Sequence, residues 1–123
     1  MTMTRHPYLM EVSATATLRG VRVRWVSSGR VSRRSRAVYR LRTHVYQIVV
    51  GMRGGHLASV ELVDDRSGFR RELEWPVSWY AGVLTLLMPP SWQGVLQTCG
   101  YLAEMEIDGV NMGRLTGPEV IVG

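Results

Sequence analysis

At 123 residues, with 46% hydrophobic and 20% charged positions, the chain has room for one core and too much apolar content for disorder. No apolar run nears the roughly 18 residues of a membrane helix, one cysteine excludes an internal disulfide framework, and no basic leader precedes a long apolar segment; a membrane span, a secretory signal and an oxidising compartment are not expected. The formal net charge is +5, but residues 1–53 hold eleven of the fifteen arginines against one acid, Glu11, a net of +10, while residues 54–123 set four arginines against nine acids, a net of −5.

The first apolar-rich stretch, Val12 to Leu18, is built of β-branched and small residues, and Gly20 separates it from VRVRWV as a bend or bulge. In VRVRWV the apolar Val21, Val23 and Trp25 alternate with Arg22 and Arg24, which predicts a strand with one core face and one face covered by arginine stems. Ser27 to Arg36 lacks a period and carries Arg30, Arg33, Arg34 and Arg36, so it reads as an exposed basic loop or mobile arm. From Ala37 the alternation resumes, with Tyr39 and Leu41 opposite Arg40 and Arg42, and ends in the apolar Ile48 to Val50 before Gly51, Gly54 and Gly55.

Two alternating runs from Leu57 to Trp75 flank Asp65 to Gly68, a hairpin signature, and the return strand is expected to set Phe69, Arg71, Leu73 and Trp75 on one face until Pro76 stops it. Gly82 to Met88 predicts another strand, ended by Pro89 and Pro90; Trp92, Val95 and Leu96 have the spacing of one helical turn. Next, Tyr101, Ala103, Met105 and Ile107 alternate with Leu102, Glu104, Glu106 and Asp108, Gly109 to Gly113 turns the chain, and a last strand runs from near Arg114 to EVIVG. Seven or eight short strands without a long helix predict an all-β fold: a single antiparallel β-sandwich spanning 1–123, with a partly open small β-barrel as the second architecture.

The residue types that carry chemistry are sparse. Cys99 is the only thiol and His6, His44 and His56 the only imidazoles; Cys99 falls at the start of a predicted core strand, where a buried apolar role is expected. No CxxC, HExxH, GxGxxG or GKS/T spacing occurs, and paired acids such as Glu104 and Glu106 read as a solvated face. No catalytic residue, metal site or cofactor is expected, and the chain is read as a non-enzyme. The arginines interleaved with Trp25, Tyr39 and Tyr46 raise single-stranded nucleic-acid binding on a β-barrel as an alternative, although period two puts Trp25 opposite Arg22 and Arg24, in the core. Among the aromatics of WPVSWY and PPSW, Trp75 is expected inside and Trp92 at a partner contact.

The stretch GVLTLLMPPSWQGVLQTCGYLAEMEIDGVNMGRLTGPEVIVG, residues 82–123, resembles the end of small β-sandwich modules in virion proteins of tailed bacteriophages, especially minor tail and baseplate components. The resemblance lies in the order strand, proline-bearing loop, Tyr-led strand with a turn, and closing glycine-containing strand; the arginine-rich first third departs from it. It implies a noncatalytic structural protein made in the bacterial cytoplasm, located in the virion, and contacting copies of itself and neighbouring subunits in a homo-oligomeric assembly. A lysine-free composition fits a GC-rich host. Arg30, Arg33, Arg34, Arg36 and Trp92 are the expected partner-binding residues, acidic protein surfaces the expected partner, and nucleic acid the alternative.

Overall fold

Period-two runs become strands because alternate side chains leave a pleated backbone on opposite faces, and only one of those faces is needed to bury a core. In the computed structural model, which describes residues 6–122, the strands are β1 (Leu9–Thr17), β2 (Gly20–Ser27), β3 (Arg36–Arg42), β4 (Tyr46–Arg53), β5 (His56–Asp64), β6 (Arg70–Glu72), β7 (Val77–Tyr80), β8 (Val83–Met88), β9 (Leu102–Ile107), β10 (Val110–Thr116) and β11 (Ile121–Val122), with one helix, α1 (Trp92–Cys99), before β9. Sheet A has the order β11-β1-β2-β8-β7 and sheet B the order β10-β9-β3-β4-β5-β6. The two sheets are separate, so the sandwich and not the barrel is formed. There are more strands than the seven or eight expected, because the run from Ala37 to Val50 is two strands, β3 and β4, the last run from near Arg114 is divided between β10 and β11, and the four-residue β7 is too short to leave a periodic signature. One pairing is parallel: β11 lies along β1 at Thr15 and Ala16.

The core is filled by the inward residues of both sheets. Val21, Val23 and Trp25 of β2 and Leu84, Leu86 and Met88 of β8 face Tyr39 and Leu41 of β3, Ile48 and Val50 of β4, and Met105 and Ile107 of β9, all fully buried. Trp25 and Tyr39 meet edge to face with centroids 6.0 Å apart, and Trp79 Nε1 donates to Tyr39 Oη at 3.1 Å, which satisfies a phenol that sits in the interior.

Three local expectations change. The hairpin forms, with Asp64 accepting from the backbone N–H groups of Arg66 and Ser67, but its return strand β6 covers only Arg70–Glu72, all exposed; of the expected inner face Phe69 is exposed, Trp75 is half-buried and Leu73 alone is buried. β6 is the edge strand of sheet B. The single helical turn is an eight-residue helix: it starts from Pro89 and Pro90 carbonyls, is anchored by buried Leu96, and stops where Gly100 N–H bonds Leu96 O. Cys99 is therefore the last residue of a helix rather than the first of a core strand, and it is exposed.

The charge asymmetry along the chain is partly resolved by topology. β3 is inserted between β4, also from the basic half, and β9, from the acidic half, with Arg40 opposite Glu104 and Val38 opposite Glu106. On the outer face of sheet B, Arg40 pairs with Glu106 at 3.6 Å, Arg70 with Glu61 at 3.2 Å, and Glu104 with both Arg42 and, at 3.3 Å, Arg114. Glu104 is thus no solvated acid: its side chain is 5% exposed, roofed by two guanidinium groups.

Candidate interface at the arginine-bearing end

Three strand pairs turn around at one end of the sandwich, and each uses a two-residue turn with both φ angles positive: Gly54–Gly55 between β4 and β5, Ala81–Gly82 between β7 and β8, and Asp108–Gly109 between β9 and β10. Such tight turns follow the right-handed twist of the strands and leave no bulk above them. The one long connection at this end is residues 28–35, which carries the chain from β2 in sheet A to β3 in sheet B.

This segment, expected as an exposed loop or arm, has two buried residues among its exposed arginines. Val31 is buried against the core, Ser35 is buried, Ser35 N–H donates to Ser32 O at 3.0 Å, and the Ser27 hydroxyl lies between the carbonyls of Gly29 (2.7 Å) and Gly82 (2.6 Å). Gly82 is required here: a Cβ at that position would stand 2.4 Å from Gly29 O. The sequence pattern hid this anchoring because one apolar residue, Val31, among four arginines shows no period.

With the backbone tied down, the guanidinium groups point outward. Arg30 and Arg33 line one hollow with Gly55, Trp79 and Tyr80; Arg34, Arg36 and Arg53 line a second with Asp108 and Gly109. Arg36 and Arg53 are direct cross-strand neighbours in the β3–β4 pair, an arrangement that is destabilising for like charges. No carboxylate lies within 4 Å of any of these five guanidinium groups among the described residues, in contrast to Arg40, Arg42, Arg70 and Arg114. Asp108, which lines the second hollow, is otherwise engaged: its Oδ1 accepts from the Arg36 backbone N–H at 2.9 Å, and His6 Nε2 is 3.9 Å from Oδ2. That backbone hydrogen bond, with the Ser35 hydroxyl and the charges of His6 and Arg36, holds the Asp108 carboxyl below its ordinary range.

The expected partner-binding residues are therefore split. Arg30, Arg33, Arg34 and Arg36 share this end and gain Arg53 and the exposed Tyr80, which sequence reading left out; the signal that could have found Arg53 was the hairpin register placing it opposite Arg36. Trp92 is elsewhere, at the start of α1, half-buried and packed edge to face on Tyr46 (5.9 Å) and Trp75 (5.6 Å). Of the strand aromatics considered as a nucleic-acid stacking platform, Trp25 and Tyr39 are fully buried and Tyr46 is half-buried. No group of three or more His, Cys, Asp or Glu side chains that could hold a metal occurs among the described residues, and none of their helices is long and apolar enough to cross a membrane. No protein-family model and no curated protein sequence matches the chain.

Proposed function

We propose that the protein is a noncatalytic assembly module of a phage virion, a minor tail or baseplate component, which docks its arginine-bearing end onto an acidic surface of a neighbouring subunit. The observation that carries this reading is the facing pair Arg36 and Arg53, set among three further arginines, none of the five with a carboxylate within 4 Å of its guanidinium among the described residues. Like charges held together on tight turns cost stability in the isolated chain, and a partner carboxylate that bonds each guanidinium bidentately offsets that cost. The virion assignment rests on the resemblance of residues 82–123, a stretch in which β8, α1, β9, β10 and β11 follow one another. At net +5, a second copy is a poorer match for this end than an acidic neighbour.

The test compares the native chain with a variant in which Arg30, Arg33, Arg34 and Arg36 are serine. Poly-glutamate and a 20-nucleotide oligothymidylate serve as probes across a salt series. Poly-glutamate should bind the native chain and lose most of its affinity in the variant, while the variant keeps its melting temperature within a few degrees, since exposed charges contribute about 0–1 kcal/mol each. Tighter binding of the oligonucleotide, with a steep salt slope, overturns the protein-docking reading in favour of nucleic acid. Absence of the chain from purified particles, read by mass spectrometry, overturns the virion assignment.

A further inference from the structure

The outer faces of the two sheets differ in how their charges are matched. On the outer face of sheet B, away from the arginine-bearing end, Arg40, Arg42, Arg70 and Arg114 each have a carboxylate within 4 Å. On sheet A, β2 turns Arg22 and Arg24 outward, and their cross-strand neighbours are uncharged: Arg22 sits between Thr15 and Leu87, Arg24 between Ser13 and Thr85, with Ser78 beyond Thr85 on β7. Neither arginine has an ion-pair partner among the described residues.

At the end of this face away from the candidate interface, the chain forms a groove. β7 begins only at Val77, so the far end of β8 has β2 on one side and the Pro76 turn on the other. The β1–β2 hairpin tip stands over the gap, locked where a Cβ on Gly20 would collide with Met88 O, and its Thr17 hydroxyl donates to Gly20 O at 2.9 Å. The resulting hollow, about 220 Å³, is lined by Arg19 and Arg22, by the hydroxyls of Thr17, Ser78 and Thr85, and by Leu87, Val77 and Pro76. Two guanidinium groups, the Ser78 and Thr85 hydroxyls and no carboxylate make a donor set for a tetrahedral oxyanion, the Thr17 hydroxyl being spent on Gly20 O: guanidinium forks supply paired N–H donors and neutralising charge, and the two hydroxyls rotate to fill the remaining lone pairs.

We infer that this groove binds a phosphate group, either a free phosphate monoanion or dianion or a phosphodiester of a larger molecule. The site is separate from the arginine-bearing end and does not depend on its role.

Amide chemical shifts of the full chain are followed during titration with inorganic phosphate and, separately, with thymidylyl-thymidine, which carries a diester only. Saturable shifts at Thr17–Arg22 and Ser78–Thr85 with the first probe support a phosphate or monoester site, and with the second alone a diester site. Arg22→Gln should weaken binding about tenfold or more, as expected for loss of a charge-assisted donor pair, whereas Arg24→Gln, one strand repeat away, should stay within about twofold. Arg19→Gln lies in the hairpin turn outside the core and repeats the test should Arg22→Gln disturb the fold. Shifts confined to Arg34, Arg36 and Arg53, equal weakening by Arg22→Gln and Arg24→Gln, or no saturable shift with either probe would overturn the assignment.

Discussion

Replacing Glu104 with glutamine perturbs the molecule where its two oppositely charged halves meet. The carboxylate is 5% exposed and contacts Arg42, whose side chain is 40% exposed, and Arg114, 60% exposed. Stripping one partner from a fully buried pair costs about 3–5 kcal/mol; here both arginines can turn toward water, so solvent screening reduces the expected loss to about 2–3 kcal/mol. With an unfolding entropy of about 2.1 cal/mol/K per residue, 1 kcal/mol corresponds to roughly 4 °C in a chain of this length, so the melting temperature should fall by about 8–12 °C. Arg42→Gln should cost more than Arg114→Gln, because Arg42 is the less hydrated partner. Calorimetry on the three single variants and the two doubles with Glu104→Gln gives the couplings, which should be about 0.5 kcal/mol or more for each pair. A Glu104→Gln melting temperature within about 1 °C of native, or strictly additive doubles, would refute the claim that this three-residue cluster ties β10 and β3 to β9.

Three further outcomes are expected. Cys99 should react with a thiol reagent in the native state, and Cys99→Ser, combined with His44→Ala and His56→Ala, should change stability by no more than about 0.5 kcal/mol per site, since all three side chains are exposed; protection of the thiol until unfolding would contradict the helix-end placement. Ala81 holds φ 51° in its turn, a conformation costly for alanine and tolerated by asparagine, so Ala81→Asn should raise the melting temperature by about 2–4 °C, and a fall would show that the turn is held by something other than its own geometry. Burial pushes the Tyr101 phenol up to about 12 and raises Tyr39 as well, so the unfolded chain ionises these groups first; stability present below about pH 10 should be lost as pH climbs toward 12, and Tyr101→Phe, which deletes a hydroxyl without a hydrogen-bond partner, should flatten part of that decline in denaturant midpoints without harm at neutral pH.

Faces were legible in the sequence wherever alternation was strict. Val21, Val23 and Trp25 of β2, Tyr39 and Leu41 of β3, and Ala103, Met105 and Ile107 of β9 all point inward as their spacing requires, because a one-residue slip would expose the whole set. Partnership between distant strands was not legible. Nothing local in AVYRLR says that it lies beside LAEMEI, so the ion pairs of Glu104 and Glu106, and the burial of Glu104, could not be read from alternation alone. Cys99 was misplaced because Gly94 weakens a helix by only about 1 kcal/mol, which the anchoring of Leu96 and the stacking of Trp92 on Trp75 and Tyr46 outweigh. At the candidate interface the arginines were visible and their grouping was not: Arg53 and Tyr80 reach Arg30–Arg36 only through three turns that close at the same end.

The order of strands has a consequence for how the chain reaches its native state. β2 and β3 are central in their sheets, yet each acquires its second neighbour from far along the chain: Arg22 waits for Leu87 and Arg40 for Glu104. Local hairpins can form early, and while they wait they present two unpaired central edges, the template on which misfolded chains add to one another. Those edges carry Arg22 and Arg24 on one strand and Arg36, Arg40 and Arg42 on the other, and like-charged edges repel. The basic first half thus keeps half-finished molecules apart until β8 and β9 arrive, and refolding yield should accordingly fall as salt screens that repulsion.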